Sequence, residues 1–144
     1  MINLLVKEYN HVIHAAVRVY LSSTGWMHIG SGSFRAAYRK KNTVIKVPRN
    51  TEGFQDNLTE AYAYRKYRNN PDGDGIIFAP CRLLRNGCLM MPFVTRAEYD
   101  QMPTWAQFLD GAQAGLYKNR IVGYDTGYDI KHERQEAFQW AKVI

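Results

Sequence analysis

Cysteine is scarce, with only Cys81 and Cys88 in 144 residues. Two cysteines exclude a disulfide framework and a four-cysteine zinc site, and buried free thiols are the expected state. Long hydrophobic runs are also missing: no stretch reaches the roughly 18 consecutive apolar residues of a membrane span. The opening run MINLLVKEYNHVIHAAVRVYL is broken by Lys7, Glu8, His11 and Arg18, unlike the apolar region of a signal peptide. A cytoplasmic protein with no membrane partner is therefore expected. Proline is sparse, at 5 residues, and there is no repeat, low-complexity tract or long linker to divide the chain. With 46% hydrophobic and 22% charged residues, the composition is that of one folded domain over residues 1–144.

Acidic residues are the other shortage, 13 against 19 Lys and Arg, for a net charge of +6. The excess lies in residues 1–90, where 13 basic and 6 acidic side chains give +7; residues 91–144 carry 6 and 7, giving −1. A basic first half suits a polyanion, either the phosphates of a nucleotide or a nucleic-acid backbone. A solvated basic face is the ordinary alternative, and composition does not separate the three.

The apolar pattern predicts an α+β fold. Over residues 4–21, Leu5, Tyr9, Val12, Ile13, Ala16 and Tyr20 recur at helical steps, which predicts a packing helix that closes near Gly25. Residues 26–47 read as three antiparallel strands, and residues 55–68 as a second helix with Leu58, Ala61 and Tyr62 on one side. Asn86-Gly87 between two apolar runs predicts a hairpin with a two-residue turn. A loop over 69–75, a short helix after Pro103, a hairpin turning at Lys118-Asn119 and a last helix over 131–142 complete the reading.

Chemistry concentrates in Gly30-Ser31-Gly32-Ser33-Phe34-Arg35-Ala36-Ala37-Tyr38, a predicted connection between two strands. Glycines there let the backbone approach a phosphate closely, although an ordinary hairpin turn uses the same residues. Val44-Ile45-Lys46-Val47 follows, an apolar strand interrupted by a lysine that needs a partner or a ligand. Glu60, on the next predicted helix, is the natural counter-ion.

In this order the residues resemble the N-terminal lobe of protein kinases. Gly30, Gly32, Phe34 and Tyr38 are similar to the family's glycine-rich loop, and Val44-Ile45-Lys46 to the strand whose lysine orients the nucleotide phosphates. The resemblance implies a kinase-like α+β fold, with an antiparallel N-lobe sheet over 26–94 and a strongly reduced C-lobe over 95–144. It implies ATP and Mg²⁺ as cofactors, with Gly30, Ser31, Gly32, Ser33 and Phe34 over the nucleotide and Lys46 paired to Glu60. Leu89-Met90-Met91-Pro92-Phe93-Val94 would run into the hinge, bringing Met91 and Phe93 to adenine.

Further along, Asp125-Thr126-Gly127 resembles the family's metal-binding segment, and Asp110 occupies the place of the catalytic carboxylate. Gln113 would complete the metal site with Asp125. The departures are Arg35 in place of the third glycine, Pro92 without an N–H, no His-Arg-Asp triplet, and Gly115 where an asparagine is expected after Asp110. With 17 residues after Gly127, a full C-lobe cannot fit, and the economy is similar to that of small kinase-like proteins of bacteriophages, which act in the host cytoplasm.

Two functions follow as expectations. One is an ATP- and Mg²⁺-binding protein that transfers the γ-phosphate to a protein hydroxyl. The other is an inactive, pseudokinase-like protein that binds and inhibits or redirects a partner protein. Nucleic acid ranks below both as a partner. It rests on Tyr62, Tyr64 and Tyr67 among Arg65, Lys66 and Arg68, which also suit a helix with one packed and one solvated face. His11 and His14 lie three apart without an acidic or cysteine ligand nearby, which favours core or surface histidines over a metal site.

Overall fold

The computed structural model describes residues 8–69, 75–109, 112–125 and 130–143. Within them the fold is α+β, with three α-helices and two antiparallel sheets. Helix α1 is His11–Ser23, and strands β1 (Met27–Ser31), β2 (Arg35–Lys40) and β3 (Thr43–Pro48) follow it. Helix α2 (Thr51–Tyr67) separates β3 from β4 (Arg82–Leu83) and β5 (Leu89–Pro92). Strands β6 (Thr95–Arg96), β7 (Ala114–Tyr117) and β8 (Arg120–Gly123) form the second sheet, and helix α3 is Arg134–Val143.

The first sheet has the order β1-β2-β3-β5-β4. Alternation along β3 sets the layers, because successive side chains point to opposite faces. Ile45 and Val47 join Ala36, Tyr38 and Cys88 on one face, where Leu21 and Val17 of α1 cover them. Val44 and Lys46 point to the other face, which α2 and the second sheet share. There Phe54, Leu58 and Ala61 of α2 pack with Leu83 and Leu89, while Val44 and Met91 pack with Val94 and Val122. Each such fully buried aliphatic side chain contributes about 1.5–3 kcal/mol, so these clusters hold the layers together.

Helix α2 begins at Thr51, earlier than the apolar pattern suggests, because Asn50 caps it: its Oδ1 accepts from the Gly53 N–H at 3.0 Å. Helix α3 docks along α2 through a polar seam. Arg134 meets Asp56 at 3.0 Å and Glu52 at 3.1 Å, and Lys66 meets Glu133 at 3.1 Å, with the Tyr67 hydroxyl also donating to Glu133.

Two local expectations change. Helix α1 packs through His14, Val17 and Leu21, whereas Val12, Ile13, Ala16 and Tyr20 face outward. The turn at Asn86-Gly87 is a longer loop, because Leu83 pairs with Leu89 and only Gly87 takes a positive φ, +85°. The short helix expected after Pro103 forms as a five-residue 3₁₀ helix, Thr104–Phe108, and a 3₁₀ turn at Tyr99–Gln101 precedes it. The hairpin at Lys118-Asn119 forms as expected, with both residues in the left-handed region. Both cysteines are free, and burial raises both thiols, Cys88 to about 12. Among the described residues, no helix is long and apolar enough to cross a membrane.

Candidate functional site

Lys46 sits on the site face of β3, across from Ala37 on β2 and Leu89 on β5. Its Nζ donates to Glu60 Oε2 at 3.3 Å, so the counter-ion expected for a lysine within an apolar strand is in place. Lys46 also donates to the Tyr124 carbonyl at 2.6 Å and lies 4.0 Å from Asp125 Oδ1. The end of hairpin β7–β8 therefore reaches the same point as β3 and α2. Lys46 and Glu60 are buried, whereas the Asp125 side chain is 36% exposed.

The fourth member of the cluster is Arg35, the first residue of β2. Its guanidinium donates to Glu60 at 3.0 and 3.1 Å, to Asp125 Oδ1 at 2.5 Å and to Asn57 Oδ1 at 3.0 Å. Burial opposes its charge, but Glu60 and then Asp125 more than offset that and hold the Arg35 pKa above its ordinary value. Asn57 completes the frame, donating through Nδ2 to the Lys46 and Gly87 carbonyls at 3.1 and 2.9 Å. Two cations and two carboxylates thus neutralise one another between the sheets.

The glycine-rich connection is tied to the start of α2. The Gly32 carbonyl accepts from Arg49 Nη1 at 2.5 Å, the Ser33 carbonyl from Asn50 Nδ2 at 2.9 Å, and the Phe34 carbonyl from the Arg49 N–H at 2.8 Å. Gly53 makes this approach feasible, since a Cβ there would stand 1.9 Å from the Phe34 oxygen. Gly30 and Gly32 border open space, with nothing within 4 Å of a Cβ at either, and Ser31 Oγ pairs with His28 Nε2 at 2.6 Å.

At the expected hinge, Met91 is buried in the cluster of Val44, Val94 and Val122, with Ala37, Phe93 and Tyr124 packed against it. That cluster joins the two sheets directly. The Phe93 N–H donates to the Asn42 carbonyl at 2.8 Å, and the Arg39 guanidinium lies 3.4 Å from the centre of the Phe93 ring.

Gln113 is brought next to Asp125 through the backbone, its carbonyl accepting from the Tyr124 N–H at 3.0 Å. Asp110, Thr126 and Gly127 lie outside the described residues. Divalent magnesium takes carboxylate oxygens in near-octahedral geometry. Here both Glu60 oxygens and Oδ1 of Asp125 accept from Arg35, so the donor set as arranged does not fit Mg²⁺. The histidines form no site together: His14 is buried with Nε2 donating to the Asn86 carbonyl at 2.6 Å, while His11 is exposed. Among the described residues no group of three His, Cys, Asp or Glu could hold a metal.

The residues missed by sequence reasoning are Asn57 and the Tyr124 carbonyl, and the bridging role of Arg35. An arginine where a glycine is expected was the signal for the last. Compared with family models, curated proteins and solved structures, the chain matches none significantly.

Proposed function

We propose that the chain is a kinase-like domain closed by its own arginine, acting as a pseudokinase-like binding protein for a partner protein. The kinase-like part of this reading is supported by a five-stranded antiparallel sheet with a helix between its third and fourth strands in chain order. It is supported further by the Lys46–Glu60 pair and by the return of Asp125 to Lys46. The observation that carries the inactive reading is the Arg35 guanidinium, which satisfies Glu60 and Asp125 where a nucleotide-bound cation would act. The apolar seal of Val44, Met91, Val94 and Val122 points the same way. A partner protein suits the outward side of α1, where Val12, Val19 and Tyr20 are 65, 70 and 64% exposed, more apolar surface than a solvated helix needs.

The second reading is an ATP- and Mg²⁺-dependent phosphotransferase acting on a protein hydroxyl. It is favoured by the same convergence of Lys46, Glu60 and Asp125, and requires Arg35 to leave. Calorimetric titration with Mg²⁺-ATP separates the two, using the wild type, Arg35→Gly, Lys46→Ala and the Arg35→Gly/Lys46→Ala double variant. The closed reading expects that Lys46→Ala removes no saturable heat from the wild type up to about 1 mM, the upper range of ordinary enzyme affinities. It expects binding by Arg35→Gly that the added Lys46→Ala removes. Saturable wild-type binding that Lys46→Ala abolishes would overturn it in favour of the transferase.

A further inference from the structure

A second recess lies away from Lys46, between the C-terminal end of α2, the chain around Phe78 and the β7–β8 turn. It encloses about 350 Å³, within the range of small-ligand pockets, and neither Arg35, Lys46, Glu60 nor Asp125 lines it. Its walls are aromatic. Tyr64 and Tyr117 line it, beside Tyr67 and Phe78, whose rings stack with centroids 5.9 Å apart. The Tyr67 hydroxyl is bound to Glu133, which fixes that ring.

Its rim is cationic. Arg68, Lys118 and Arg120 line it, all three are exposed, and no acidic residue accompanies them among the described lining residues. None of the three forms an ion pair with a described residue, whereas Lys46 and Lys66 are both committed to carboxylates. The turn holds Lys118 and Asn119 at φ of 47° and 63°, the two-residue arrangement that fixes the spacing of the rim. The tyrosine set seen in the sequence therefore divides. Tyr62 turns to Glu136 on α3, while Tyr64 and Arg68 turn to this recess and meet residues from a distant hairpin.

An aromatic wall beside cations that form no ion pair with a described residue recognises a ligand with a flat ring and a phosphate. We propose that this recess binds a nucleoside phosphate, either as a free nucleotide or as one unit of a single-stranded nucleic acid. The base lies against Tyr64 and Tyr117, and the phosphate meets Arg68, Lys118 and Arg120. The site is independent of the Lys46 cluster and of the function proposed for it.

The test is calorimetric titration of the full chain with AMP and with a short single-stranded oligoadenylate. Wild type, Lys46→Ala and the double variant Arg68→Gln/Arg120→Gln are compared at low and moderate salt, with urea unfolding to check that each is folded. Saturable binding is expected, weakened at least about tenfold by the double variant through loss of charge-assisted bonds. Lys46→Ala should leave it unchanged. Similar affinity for AMP and the oligonucleotide identifies the free nucleotide as the source. Tighter binding of the oligonucleotide with a steeper salt dependence identifies single-stranded nucleic acid. The proposal is overturned if neither probe saturates, if the arginine variant binds like wild type, or if Lys46→Ala removes the binding.

Discussion

The Arg35 guanidinium bonds to both carboxylate oxygens of Glu60, at 3.0 and 3.1 Å, and so links the first residue of β2 to the middle of α2. Glu60 is 5% exposed, and only cations make its burial tolerable. Arg35→Ala removes one of its two cations and leaves Lys46, so a loss of about 3 kcal/mol, the low end for breaking a buried pair, is expected. Asp125→Asn disturbs a side chain that is 36% exposed and should cost no more than about 1 kcal/mol. Urea unfolding of both variants checks the contrast, and equal losses would contradict the central place given to Glu60.

Much of this cluster was legible in the sequence, and the reasons are local. An apolar strand carrying one lysine, followed by a helix with a glutamate, leaves few other partners for Lys46. Asp125 was marked only by the resemblance of Asp125-Thr126-Gly127 to a family segment, since an aspartate at a strand end is by itself more often part of a turn. The direction of Arg35 was not legible, since it depends on how the β1–β2 turn sits over α2. That placement depends in turn on Gly53, which reads in sequence as a weak helix residue. Helix α1 misled for another reason: both of its sides are apolar. The side with the stronger periodic pattern, Val12, Ile13, Ala16 and Tyr20, faces outward. The packed side includes His14 and Arg18, whose Nη1 donates to the Pro48 carbonyl at 3.1 Å.

Gly53 provides a test whose sign runs against propensity. Replacing a helical glycine by alanine ordinarily stabilises by about 1 kcal/mol. Here the added Cβ would lie 1.9 Å from the Phe34 carbonyl oxygen and 2.8 Å from its carbon, both backbone atoms. The clash should reverse the sign, with Gly53→Ala destabilising by about 1–3 kcal/mol, the usual cost of overpacking. A rise in thermal midpoint would show that the glycine-rich turn is not anchored on α2 in this way.

The two sides of α1 predict opposite responses to adjacent substitutions. Leu21 is 3% exposed and packs with Ala36, Tyr38, Ile45 and Val47, so Leu21→Ala should cost about 2–5 kcal/mol. Tyr20, its neighbour, is 64% exposed, and Tyr20→Ala should change stability by no more than about 0.5 kcal/mol. Chemical denaturation of the pair distinguishes this orientation from the one that the apolar periodicity suggests.

His14 couples stability to pH. It is 1% exposed, stacked on Tyr9, with Nε2 bonded to the Asn86 carbonyl. Burial lowers its pKa below the ordinary 6.5; the bonds to Asn86 and Asn10 oppose that shift, and Arg18 adds to it. As pH falls, the unfolded chain binds this proton before the folded one does. The contribution of His14 is therefore complete above about 6.5 and is lost as pH falls from there toward the lower folded value. Urea midpoints should drop from about pH 7.5 to about pH 5.5, and the drop should be smaller in His14→Gln, which keeps a donor for Asn86 but does not titrate. The variant starts less stable at neutral pH, because it loses the stacking on Tyr9, yet its stability changes less with acid. An identical pH dependence in both proteins would mean that His14 takes up its proton without opening the contact between α1 and the Asn86 loop.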